Sequence, residues 1–166
     1  MAAAFGPPLD EPPRPGYGSL VKAGGELALA IELVYEGYLL HYRESRTIAA
    51  GPSPETLLLA GDYFYAHGLR LVAQCGDVEA VGLLTRLMAA CSYLRVEAAA
   101  FSCDDGLWEL TAGAVGDTDG PVRRLAAGVF EDVERLIAAG SGDVRRAIDS
   151  GLVAMREIAQ GESARP

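Results

Sequence analysis

Apolar residues recur at intervals of three and four along most of the chain, the period of helices buried on one or more sides. Between positions 19 and 44, Leu27, Ile31, Val34 and Tyr38 form one stripe, and Leu29, Leu33 and Leu40 form a second. The first predicted helix is therefore apolar on two sides. Gly24 and Gly25 weaken its start, because glycine gives up the most backbone freedom in a helix, and the boundary can fall after them. Ser53-Pro54-Glu55 reads as the next start. It supplies a capping hydroxyl, a proline at the first helical position, and an acid near the positive end of the dipole. From there to about 75, Leu57, Leu58, Leu59, Tyr63, Phe64, Leu69, Leu71 and Val72 leave little polar surface. A helix that apolar needs cover on most sides, and a second subunit is a natural source of it.

Gly76-Asp77 ends that helix and caps a third over 78–101. Val81, Leu84, Met88 and Cys91 make one stripe there, and Leu83, Leu87, Ala90 and Leu94 another. Residues 102–120 are less regular, with Trp108 and Leu110 anchoring a short helix. Two further helices, 121–139 and 142–160, carry a single stripe each. These one-sided helices cannot cover both the second and the third.

Composition sharpens the picture. Half of the residues are hydrophobic but only 7% are aromatic. Alanine and leucine, both strong helix formers, supply most of the rest, and no segment is dominated by strand-favouring residues. The expected fold class is an all-α helical bundle. Five prolines before Gly16 make residues 1–18 a disordered tail, followed by one helical domain over 19–160 and a flexible end at 161–166. The formal net charge of −9 repels phosphate backbones and anionic lipid, so nucleic acid is not an expected partner. No run is apolar enough to make a transmembrane segment. Three cysteines, an odd number without a Cys-x-x-Cys pair, fit a reducing compartment, and the expected location is cytoplasmic.

Two stretches carry a resemblance. Residues 30–41, Ala-Ile-Glu-Leu-Val-Tyr-Glu-Gly-Tyr-Leu-Leu-His, resemble the helix that leads into the Leu-x-His-Asp-Asp-x-x-Asp motif of the trans-isoprenyl diphosphate synthase family. Residues 59–66, Leu-Ala-Gly-Asp-Tyr-Phe-Tyr-Ala, look like that family's Leu-x-Gly-Asp helix. The match spans roughly 24–100. It implies a truncated isoprenoid synthase fold and pairing through the Gly-Asp helix. The mismatches are equally informative. With His41 as the family histidine, Tyr42, Arg43 and Arg46 stand where three aspartates would hold magnesium against a diphosphate. A cation at a ligand position repels the metal.

The resemblance therefore implies a pseudoenzyme. It resembles the small non-catalytic subunit of a heterodimeric polyprenyl diphosphate synthase, which stabilises the catalytic chain and helps set product length. No catalytic residue, cofactor or metal is expected in this chain, and magnesium is expected in the catalytic partner. Candidate interface or tunnel-wall residues are Leu59, Tyr63, Phe64, His67, Leu69, Leu84 and Met88. An alternative is a homodimeric binding or scaffold protein derived from the same fold. A third reading is a divergent enzyme with magnesium at Asp104, Asp105 and Glu109. Against it, short acids in turns commonly cap helices, and Asp117 and Asp119 invite the same plain reading. Arg43 and Arg46 could hold a diphosphate through bidentate contacts, but a solvated helix end is the plainer expectation. Asp62 reads as a structural hydrogen-bonding acid, and His41 as a surface or satisfied core histidine.

Overall fold

The computed structural model describes residues 16–48, 51–118 and 120–163. The described residues form six α-helices and no strand: α1 Gly25–Tyr42, α2 Pro54–Gln74, α3 Val78–Val96, α4 Phe101–Ala114, α5 Pro121–Ala138 and α6 Val144–Ser163. A single 3-10 turn, Gly18–Leu20, precedes α1. The all-α expectation holds. Residues 1–15 and 164–166, most of the expected tail and part of the expected C-terminal end, lie outside the described residues.

Local signals explain several boundaries. α1 begins after Gly24, whose φ of 58° suits glycine. Ser53 caps α2 by accepting from the Thr56 amide, and Pro54 occupies the first helical position. Asp77 caps α3 by accepting from the Ala80 amide. The short helix expected around Trp108 and Leu110 is present and longer than expected, as the 14 residues of α4, and the expected third helix stops five residues early at Val96.

α1 runs through the middle of the fold, with Ile31, Val34 and Leu39 wholly buried. α2 packs chiefly against α1, and α4 against α3, α5 and α6. Trp108 of α4 binds the layers together. Its ring lies 4.9 Å from that of Tyr35, 5.6 Å from Tyr38 and 5.8 Å from Tyr17, centroid to centroid. Aromatic groups at these spacings add to area burial through edge and offset contacts. Tyr17 thus belongs to the core, although it falls inside the expected tail.

The cover for α3 also differs from the sequence reading. Leu83, Leu84, Leu87, Ala90, Cys91 and Leu94 are all buried inside this one chain. The stripe of Leu83, Leu87, Ala90 and Leu94 is covered within the chain, and the stripe of Val81, Leu84, Met88 and Cys91 is covered at Leu84 and Cys91 and half-buried at Val81 and Met88; α2, α4 and α5 all pack against α3.

The turn from α3 to α4 contains the only non-glycine residue with positive φ among those described, Ala98 at 50°. The Ala99 amide donates to the Leu94 carbonyl at 2.9 Å, and the Ala98 amide to the Arg95 carbonyl at 3.2 Å. This is the helix-ending pattern in which glycine is favoured at the left-handed position. Ala98→Gly relieves the Cβ strain at some entropic cost. It is expected to stabilise the protein by roughly 0.5–1 kcal/mol, read as a higher urea midpoint with unchanged slope.

Candidate functional site

Tyr42, Arg43 and Arg46, the residues at the positions the resemblance assigns to aspartates, are tied into the protein. Tyr42 Oη lies 2.9 Å from Ser92 Oγ. Arg43 donates from Nη1 to Asp105 at 2.9 Å and from Nη2 to the Phe101 carbonyl at 3.1 Å. Arg46 pairs with Glu32 at 2.7 Å and with Glu36 at 3.1 Å, and its guanidinium lies over the Tyr35 ring. The Arg43 and Arg46 side chains are only 5% and 13% exposed. The solvated helix end expected from the sequence is therefore a set of partly buried ionic contacts.

Each acid of the alternative magnesium site has an arginine partner, and Asp105 shares Arg43 with the contacts above. Asp104, with no solvent exposure, accepts from Tyr38 Oη at 2.5 Å and from Arg95 Nη2 at 2.7 Å. The Phe101 ring sits between the two guanidinium groups, 4.1 Å from that of Arg43 and 4.0 Å from that of Arg95. Burial pushes the Asp104 carboxyl up from its usual value, against the opposing pull of the Tyr38 hydroxyl and of Arg95. Burial and the Asp104 carboxyl together raise the Tyr38 phenol above its usual range. Glu109, the third member of that reading, instead contacts Arg156 at 3.4 Å. Among the described residues no group of three His, Cys, Asp or Glu side chains could hold a metal ion.

Two further acids organise loops. Glu36, 2% exposed, accepts from the Arg46 amide at 3.0 Å, from Thr47 Oγ1 at 3.0 Å and from the Ser45 hydroxyl. It folds the chain back after α1. Sequence reasoning missed it, although an acid inside an apolar helix was the available signal. Asp77 receives both Nη groups of Arg123, at 2.6 and 2.5 Å, which holds its carboxyl below the usual range. Asp117 accepts from the Val122 and Arg123 amides at the start of α5, so it acts as a cap. Asp119 lies outside the described residues.

His41 and Asp62, from the two motifs of the resemblance, meet across α1 and α2. His41 Nε2 lies 3.2 Å from Asp62 Oδ1, and the imidazole stacks on Tyr65 at 5.1 Å. Cys91 and Cys103 are buried and Cys75 is exposed, all three as free thiols. Burial raises the Cys91 thiol well above its usual value, which suppresses nucleophilic thiolate.

The interface candidates divide into two sets. Leu59 is 70% exposed and Tyr63 65%, on the side of α2 that faces away from α1. His67 stacks on Tyr63 at 5.8 Å, and the Phe64 ring meets Tyr63 edge-on at 6.1 Å, both half-buried. Leu84 is wholly buried, and Leu69 and Met88 pack against the chain's own core. Leu84 presents no open face, while Leu69 and Met88 stay half-buried. Helical period alone does not distinguish cover by the same chain from cover by another.

The described residues also enclose a groove of about 690 Å³ between α5 and α6. Arg124, Glu131, Asp132 and Arg146 contribute to its lining, and the candidate residues do not. No helix of the described residues is long and apolar enough to cross a membrane. No protein-family model matches the chain, and neither a curated protein nor a solved structure matches it.

Proposed function

We infer that the chain is a non-catalytic partner subunit of a long-chain trans-polyprenyl diphosphate synthase. It works by pairing the α1–α2 hairpin with the catalytic chain, stabilising that chain and helping to set product length. The observation that carries this reading is the open side of α2. The helix of the Gly-Asp motif is covered by α1 on one side, while Leu58, Leu59 and Tyr63 stay exposed on the others. Exposed large apolar groups gathered on one helix mark an interaction surface.

The chemistry of the former ligand positions supports the same reading. Arg43 and Arg46 bring positive charge where metal would sit, and Asp104 and Asp105 already have arginine partners. A carboxylate held by a guanidinium has a weaker claim on magnesium, because the ion would have to displace that partner.

The test combines the purified chain with the synthase chain that accompanies it in its native host, one bearing two Asp-Asp-x-x-Asp motifs. The chain alone is expected to give no prenyltransfer. Adding it to the synthase is expected to raise turnover or lengthen the product, and Tyr63→Asp is expected to remove that effect. Magnesium-dependent elongation of farnesyl diphosphate by the chain alone would overturn the reading, as would a synthase indifferent to its presence.

A further inference from the structure

Trp108 Nε1 is buried and has no hydrogen-bond partner. A buried donor left unpaired costs about 1–3 kcal/mol, and native cores hold few of them without a reason. The ring that carries it forms one wall of an aromatic recess between α1 and α4. Tyr35 and Tyr38 meet that ring from α1, and Tyr17 lies against it from the short segment ahead of α1. Tyr17 fills the recess well with its ring, which stacks on Trp108 at 5.8 Å and meets Tyr35 edge-on at 4.8 Å. Its hydroxyl is poorly served. It donates to the Asp105 carbonyl at 3.4 Å, near the limit of a hydrogen bond.

The recess thus offers an indole donor that Tyr17 does not use and a carbonyl acceptor that it uses weakly. A free phenol carries the same ring and, without a backbone tether, can shift to serve these groups. The tether on Tyr17 is itself slight. The residue is half-buried, and Gly16 and Gly18 flank it, which leaves the backbone free to re-aim the ring. The Gly18 amide donates to Glu32 of α1. The remaining anchors of the segment lie after Tyr17, at the buried Val21 and at Lys22, which pairs with Asp117 at 3.2 Å. The ring can leave the recess without releasing them.

We propose that the recess walled by Tyr35, Tyr38 and Trp108 is a binding site for a phenolic ligand, and that Tyr17 is its built-in occupant, displaced when the ligand enters. This goes beyond the synthase reading and does not rest on it.

The test titrates p-cresol, the tyrosine side chain without its backbone, into the full chain. Trp108 is the only tryptophan, so its fluorescence reports on the recess directly, and thermal unfolding is followed beside it. Tyr17→Ala is expected to bind p-cresol saturably and to gain thermal stability from it by mass action. The wild type is expected to bind at least about tenfold more weakly, because tyrosine fills the site in most molecules. Gly18→Pro removes the amide that holds Glu32, and a proline there disfavours the helical conformation of Tyr17, with φ −99° and ψ −8°. It alters no wall of the recess and is expected to bind about as tightly as Tyr17→Ala. It also carries the test if alanine at position 17 prevents folding. Toluene, which has the same shape without the hydroxyl, is expected to bind about tenfold more weakly than p-cresol. A wild type with no saturable response overturns the site, as does a Gly18→Pro affinity no better than that of the wild type. Equal affinity in wild type and Tyr17→Ala overturns the role of Tyr17 as occupant. Toluene bound as tightly as p-cresol overturns the phenolic assignment. Because no synthase is present, these outcomes are independent of the test of the synthase reading.

Discussion

Asp104→Ala is expected to destabilise the protein by about 3–5 kcal/mol, the cost of breaking a buried ion pair from one side. Asp104 has no solvent exposure, and it joins Tyr38 of α1 to Arg95 of α3. Alanine leaves the Tyr38 hydroxyl and the Arg95 guanidinium without that acceptor in a place water scarcely reaches. An uncompensated buried cation is the larger part of the cost. Removing both partners is a different matter. Asp104→Leu combined with Arg95→Met is expected to recover much of the loss, because two apolar groups leave no charge to desolvate. Urea denaturation of the single and double variants measures both quantities. A single-variant loss below about 1 kcal/mol would mean that the cluster is more hydrated than its burial indicates.

The same cluster shows what a sequence can and cannot disclose. The start of α2 was legible because Ser53, Pro54 and Glu55 act locally, and their effect does not depend on what the helix later meets. The full extent of α4 was hidden because its inward face contains an acid, Asp104, and a glycine, Gly106. Cys103, Asp104, Leu107, Trp108, Leu110, Thr111 and Ala114 make a clear helical face once Asp104 counts as an inward residue. Nothing in the local pattern says that it does. Its partners lie on other helices, 66 positions away at Tyr38 and nine at Arg95.

The candidate interface was half legible for a related reason. Leu59, Tyr63 and Leu84 look alike in a list of apolar positions. Leu59 and Tyr63 face out and Leu84 faces in, a difference made by α1 and α4 and not by the residues themselves. The identity of Tyr42, Arg43 and Arg46 at the positions the resemblance assigns to aspartates was plain from the sequence. The fate of those arginines was not, because Glu36 and Asp105 become their partners only when the chain turns back after α1.

Gly68→Ala and Gly128→Ala are expected to change stability in opposite directions, although both place alanine inside a helix. Alanine is the better helix former by roughly 1 kcal/mol in an exposed interior position. At Gly128, on α5, a new Cβ meets nothing within 4 Å, so the gain stands alone and about 0.5–1 kcal/mol of stabilisation follows. At Gly68, on α2, a Cβ would lie 2.5 Å from Val34 Cγ2 and 2.8 Å from the Ala30 carbonyl oxygen. The valine can turn, but the carbonyl belongs to the α1 backbone and gives way only if the two helices separate. Gly61 and Gly37 continue the same close approach, with a Cβ at Gly37 2.9 Å from the Gly61 carbonyl oxygen. Any separation at Gly68 is therefore transmitted along the seam between α1 and α2. Overpacking of this kind costs about 1–3 kcal/mol and outweighs the gain in helix propensity. Thermal or urea unfolding of the two variants decides the matter. A Gly68→Ala variant as stable as Gly128→Ala would mean that α1 and α2 pack less closely than these distances require.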